Sequence, residues 1–236
     1  MDFKTNQNEC PCSHDNHHSH ESHETSLLKE LACHWPWATF SIAFGFILLS
    51  IISFLGLGID SYAKIGGYNV LFHSCHYLHI VYAVVGTMVA FARFSSALPR
   101  ALLFSIVIPS IFCTLSDIAL PTLAGNILGV HMHMHICFFS ELHNIIPLLL
   151  VGLFTGYLLR LHHESMLGFF SVGSHFIHIL ISSLASIFYM VSYGFEQWHQ
   201  HMGLLFLFLI IAVVIPCTLS DLVIPWYFSQ KKHEKH

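Results

Sequence analysis

Six apolar runs, each long enough to cross a lipid bilayer, constrain this 236-residue chain more than any other feature. A helix crosses the hydrocarbon core in roughly 20 mostly apolar residues. Residues 37–58, 70–93, 101–120, 136–159, 167–193 and 202–228 all meet that length. Breakers and polar clusters such as GIDSYAKIGGYN, SSALPR and RLHHES separate them. Charged residues make up 9% of the chain, against about 25% in a soluble domain. The expected fold class is therefore an all-α polytopic membrane protein with six transmembrane helices. No basic stripe offers a surface to nucleic acid, and the polar, acidic, His-rich start does not read as a secretory signal peptide.

Lysine and arginine set the expected orientation. With six spans, Lys4, Lys29, Arg93, Arg100, Arg160, Lys231, Lys232 and Lys235 fall on one side and only Lys64 on the other. Both termini are expected in the cytoplasm. Short loops and the absence of N-glycosylation sequons fit a bacterial inner membrane.

Two stretches of the chain repeat each other. CTLSDIALP begins at Cys113 and CTLSDLVIP at Cys217, and each lies inside an apolar run. Upstream stand HYLHI, with His76 and His79, and HFIHI, with His175 and His178. Each copy reads His-x-x-His, then a short joint, then Cys-x-x-x-Asp before a proline. The expectation is a duplication of a three-helix unit, residues 36–121 and 122–228, flanked by a disordered His-rich tail (1–35) and a short C-terminal tail (229–236). Three crossings per unit turn the second copy upside down, and inverted repeats are a common build for transporters.

The repeated residues carry metal chemistry. Helix positions three apart are turned by about 60°, and positions four apart by about 40°. Each His-x-x-His pair therefore shares a face, as does each Cys-x-x-x-Asp pair. A charged aspartate inside a membrane costs several kcal/mol unless it is paired or wetted. Imidazole and carboxylate converging from neighbouring helices are transition-metal ligands. A plainer alternative is that Asp117 and Asp221 hydrogen-bond histidines of their own unit. Cys113 and Cys217 read first as small packing residues and second as ligands.

Inversion places the half-sites at opposite mouths. His73, His76, His79, Asp117, His131, His133 and His135 are expected near the outer face, with His199, His201 and Glu196 in a loop at that level. His162, His163, His175, His178 and Asp221 gather near the inner face. Glu141 and His143 lie deeper in the fourth span and join the two clusters. Glu141 is the one acid expected well inside a span, which makes it a functional candidate by cost.

The N-terminal CPCSHDNHHSHESHE holds Cys10, Cys12, His14, His17, His18, His20 and His23. Such a tract binds metals by composition and reads as an ion buffer. The donor set suits zinc first, then nickel, cobalt or iron, with copper also compatible. Magnesium and calcium prefer all-oxygen cages.

No phosphate-binding Gly-rich motif is present. The expected function is transport of a divalent transition-metal ion by alternating access, with proton coupling through histidine. Partners are the ion and the bilayer, with room for a homo-oligomer or an energising subunit. The alternative is a membrane-embedded metalloenzyme resembling di-iron desaturases or hydroxylases and acting on lipid. No complete desaturase-type histidine set is present, and a division of the histidines between two faces speaks against a single catalytic centre.

Overall fold

The structure, a computed structural model, describes residues 23–56, 58, 60–94, 98–161, 164–224 and 228, with side chains outside the description at 23–33, 61–62, 92–94, 139, 164–175 and 221–222. All regular structure among the described residues is helical. The order is α1 (His23–Leu55), α2 (Ser61–Phe94), α3 (Leu98–Thr114), α4 (Leu120–Ile127), α5 (Cys137–Ser140), α6 (Leu142–Leu161), α7 (Glu164–Ser192) and α8 (Met202–Thr218). A π-turn (Leu115–Ala119) joins α3 to α4 without a break, a second π-turn (Leu219–Val223) follows α8, and a 3₁₀ turn (Trp198–His201) precedes it.

Among the described residues, five stretches are long and apolar enough to cross a membrane: His34–Leu55, Ala63–Phe91, Leu98–Ile127, Leu142–Leu161 and Trp198–Thr218. Phe176–Ser192 of α7 is a shorter apolar helix. The side chains are distributed as lipid would require. Phe40, Ile47, Phe54, Leu103, Ile111, Leu150, Phe154, Leu204 and Leu207 are exposed, whereas Ser105, Ser116, Asp117, Ser182, Ser183 and Ser186 are buried. Such an architecture is compatible with an integral membrane protein.

α2 is the central strut and packs against α7, α6 and α3, while α1 lies along α7 and α8. Its seam with α6 depends on two glycines one turn apart. A Cβ on Gly152 would stand 3.0 Å from Val84 Cβ, and one on Gly156 2.8 Å from Met88 Cβ. Small residues at this spacing let two helices approach closely.

Both CTLSD copies take the same backbone form. Leu120 N–H bonds back to Leu115 O, and Ile224 N–H bonds back to Leu219 O, each spanning five residues instead of four. Pro121 and Pro225 stand four residues beyond Asp117 and Asp221. Proline has no N–H to give the aspartate carbonyl, and its ring clashes with that carbonyl. A widened turn relieves the clash. Turns of this kind recur at functional sites.

The helices outrun the apolar runs that mark them in the sequence. α1 begins at His23, inside the stretch expected as a disordered tail. α2 begins at Ser61 and not near residue 70, so His76 and His79 straddle the middle of its apolar stretch instead of standing near one mouth. The α3–α4 run continues through Pro121 to Ile127, which draws Asp117 inward from the helix end. α6 starts at Leu142, so Glu141 precedes the span it was expected to occupy.

Candidate metal centre

Asp117 organises the buried centre. Its Oδ2 accepts hydrogen bonds from Nδ1–H of His76 (2.8 Å) and Nδ1–H of His79 (2.7 Å). Its Oδ1 accepts from Ser116 Oγ (2.8 Å) and Ser182 Oγ (2.9 Å). A carboxylate has about four lone-pair sites, and protein donors engage all of them. The fully buried Asp117 therefore stands behind the imidazoles and orients them, which is the plainer of its two sequence readings.

This orientation fixes what the histidines present. With Nδ1–H given to Asp117, neutral His76 and His79 each present the lone pair of Nε2. A carboxylate behind a histidine is the usual outer support of a metal-binding imidazole. His79 Nε2 lies 2.7 Å from His178 Nε2 and 3.8 Å from Cys217 Sγ. The ligand atoms of His79, His178 and Cys217 all fall within 4.8 Å of one another, and all three residues are buried. Cys113 lies against His79 as well. Three helices, α2, α7 and α8, thus deliver two nitrogens and one sulfur to one point.

His79 comes from the first motif copy, and His178 and Cys217 from the second. The expectation of half-sites at opposite mouths is therefore corrected: His79 and His178 touch. Their positions near the middles of α2 and α7 are the reason. Cys217, ranked first as a packing residue, belongs to the triad. Ser182 was missed by the sequence reading, although Ser182, Ser183 and Ser186 form a polar stripe on an apolar helix, which is a legible signal.

His73, His135 and Glu141 meet elsewhere, one turn back along α2. His73 Nε2 is 3.2 Å from Glu141 Oε1, and Cys137 Sγ lies 3.6 Å from the same nitrogen. Glu141 lies outside the spans. A hydrogen bond from Tyr77 O–H, with Asn144 Nδ2–H, holds its carboxyl below the usual range. Burial pushes the Cys137 thiol up to about 12. Cys137 was absent from the sequence candidates.

The remaining candidates divide plainly. His131, His133, His143 and His199 are exposed, and His201 is half-buried with its ring edge on Phe195. None of these joins either group. Cys10, Cys12, His14, His17, His18, His20, His162 and His163 lie outside the described residues, as do the side chains of His23, His175 and Asp221.

No known family, curated protein or solved structure matches this chain. The functional reading rests on its own residues.

Proposed function

We propose that this chain carries a divalent transition-metal ion across a membrane, with the buried His79–His178–Cys217 triad as the central binding station. The observation that carries the reading is the meeting of two Nε2 atoms and a thiol in an apolar bundle, with His79 turned toward them by Asp117. Nε2 of His79 and Nε2 of His178 stand 2.7 Å apart, a spacing that one shared proton spans, and a metal ion taking that proton's place would use both lone pairs. Nitrogen and thiolate ligands suit zinc first, then cobalt, nickel, iron or copper.

Duplication of a three-helix unit in inverted orientation, with both termini cytoplasmic, belongs to the same proposal. The identical π-turns at the two CTLSD copies support it. Transporters of inverted-repeat build place substrate near the bilayer midplane, at the seam between repeats, on interrupted helices. The two halves would rock about the triad, and the His-rich tail would buffer the ion on the cytoplasmic side.

The test is uptake of zinc into sealed proteoliposomes holding a metal-sensitive dye. The parent chain is expected to fill the vesicles, and His79→Ala and Cys217→Ala are expected to stop filling. A correctly folded parent that passes no zinc, cobalt, nickel or ferrous iron would overturn the reading.

One observation favours the enzyme alternative. The two motif copies meet at a single centre, which removes the objection that the histidines are divided between faces. A resident metal centre would retain its ion through chelation while metal flux stayed at zero, so the same vesicles separate the two readings.

A further inference from the structure

The residues around His73 form a second set of donors that the buried triad does not use. His73 donates Nδ1–H to Asn69 O at 2.8 Å, which leaves Nε2 as its ligating atom. The ligand atoms of His73, His135 and Cys137 lie within 4.8 Å of one another. Glu141 Oε1 stands 3.2 Å from the His73 nitrogen, beside this set of three. Two nitrogens and a sulfur are three ligands of a tetrahedral site and leave its fourth position open.

The supports around this set are also in place. The His135 ring stacks on Tyr193 at 5.5 Å and 9°, and Tyr193 OH accepts a hydrogen bond from Asn69 Nδ2 at 3.0 Å. Tyr77 O–H and Asn144 Nδ2–H hold the other oxygen of Glu141. Outer partners of this kind fix ligand geometry. His73 and His135 are half-buried and Cys137 is buried, so the set is open on one side.

A further observation connects this set to the triad. His76 lies three residues from His73 and three from His79, and on a helix this spacing keeps neighbours on adjoining faces. Its Nδ1–H is given to Asp117, and its Nε2 is buried without a hydrogen-bond partner among the described residues. An unsatisfied buried polar group is destabilising, so a fold that keeps one calls for a use.

We propose that His73, His135 and Cys137, with Glu141 beside them, form a second transition-metal site, which captures the ion and passes it through His76 to the buried triad. Binding at this site stands on its own geometry. Its role as the first station rests on the transport reading above.

The test is cobalt(II) binding to the full-length chain in detergent, followed by ion count and by thiolate-to-cobalt charge-transfer absorbance. The N-terminal tail contributes equally to every variant, so differences report the two sites. Cys137→Ser is expected to lose one bound equivalent and the intensity of one thiolate. Cys217→Ser should lose a different equivalent, and the double variant both. His73→Gln and His135→Gln, at half-exposed positions, provide the same reading should Cys137→Ser fail to fold. An unchanged ion count and spectrum in these variants would overturn the site, as would a double variant no worse than either single one.

The capture role is read in proteoliposomes. Cys137→Ser is expected to slow filling at limiting cobalt and to retain filling at saturating cobalt. Equal filling at limiting cobalt would overturn the role. A parent chain that passes no ion would overturn the transport reading while the two-equivalent count still decides the site.

Discussion

Asp117 is a carboxylate with no solvent and four hydrogen-bond donors. Asp117→Asn keeps the shape but places an amide N–H₂ or a single carbonyl oxygen where two imidazole N–H groups converge. One histidine must then flip or lose its partner. Zinc affinity measured by competition with a chelator is expected to fall about 10–100-fold, with the ion count at saturation unchanged. Asp117→Asn binding as tightly as the parent would contradict the orienting role. Tyr77 has the corresponding place beside Glu141. Its hydroxyl favours the ionised carboxylate, so Tyr77→Phe removes a stabiliser of the charged form and raises the Glu141 pKa toward the ordinary value. The acid limb of the Glu141 titration, followed by carbon-13 NMR of labelled glutamate, is therefore expected to move to higher pH. A shift to lower pH would reverse the sign of that assignment.

At the scale of the element, proline and glycine decide how the helices carry their side chains. Pro121→Ala restores an N–H donor opposite the Asp117 carbonyl and removes the ring clash. The turn is then free to tighten, and interior proline costs about 3 kcal/mol relative to other residues. Thermal stability is expected to hold or rise, while zinc affinity falls because Asp117 is rotated off its histidines. A variant equally stable and equally tight would show the π-turn to be incidental. Gly156 reports on packing. Gly156→Leu forces atoms into a seam where even a Cβ meets Met88 at 2.8 Å. Overpacking of this kind costs about 1–3 kcal/mol, and the detergent melting temperature is expected to drop accordingly. The histidines of α2 would shift with the helix, so zinc affinity should fall too.

For the whole molecule, the apolar exterior and the buried polar centre depend on each other. An apolar exterior leaves the interior as the place for polar groups, and the serines of α7 line it. Ions within such an interior are weakly screened, so small displacements of α7 against α2 alter affinity strongly. The lysine and arginine bias predicts both termini on one side of the membrane. Single cysteines introduced at the two ends of a chain whose native cysteines are replaced should react with a membrane-impermeant maleimide only after the cytoplasmic face is opened. Labelling of one end in sealed cells would remove the even span count.

Much of this was legible from residue order alone. Apolar runs of bilayer length dictate helices, because a backbone in lipid must satisfy its own hydrogen bonds. The paired His-x-x-His and Cys-x-x-x-Asp motifs mark chemistry, because such groups are costly in an apolar phase. His135-Ile-Cys137 also carried a signal, since alternate residues of an extended strand project to one side and Ile136 has extended backbone. Depth and partnership were not legible. Hydropathy locates where a helix meets lipid, whereas hydrogen bonding and packing set where it begins, and nine extra residues at the start of α2 moved its histidines from a mouth to the middle. Only the packing of α2 against α7, and of α7 against α8, brought His79, His178 and Cys217 together, and contacts across about a hundred residues of chain depend on how helices seat against one another, which no local pattern encodes.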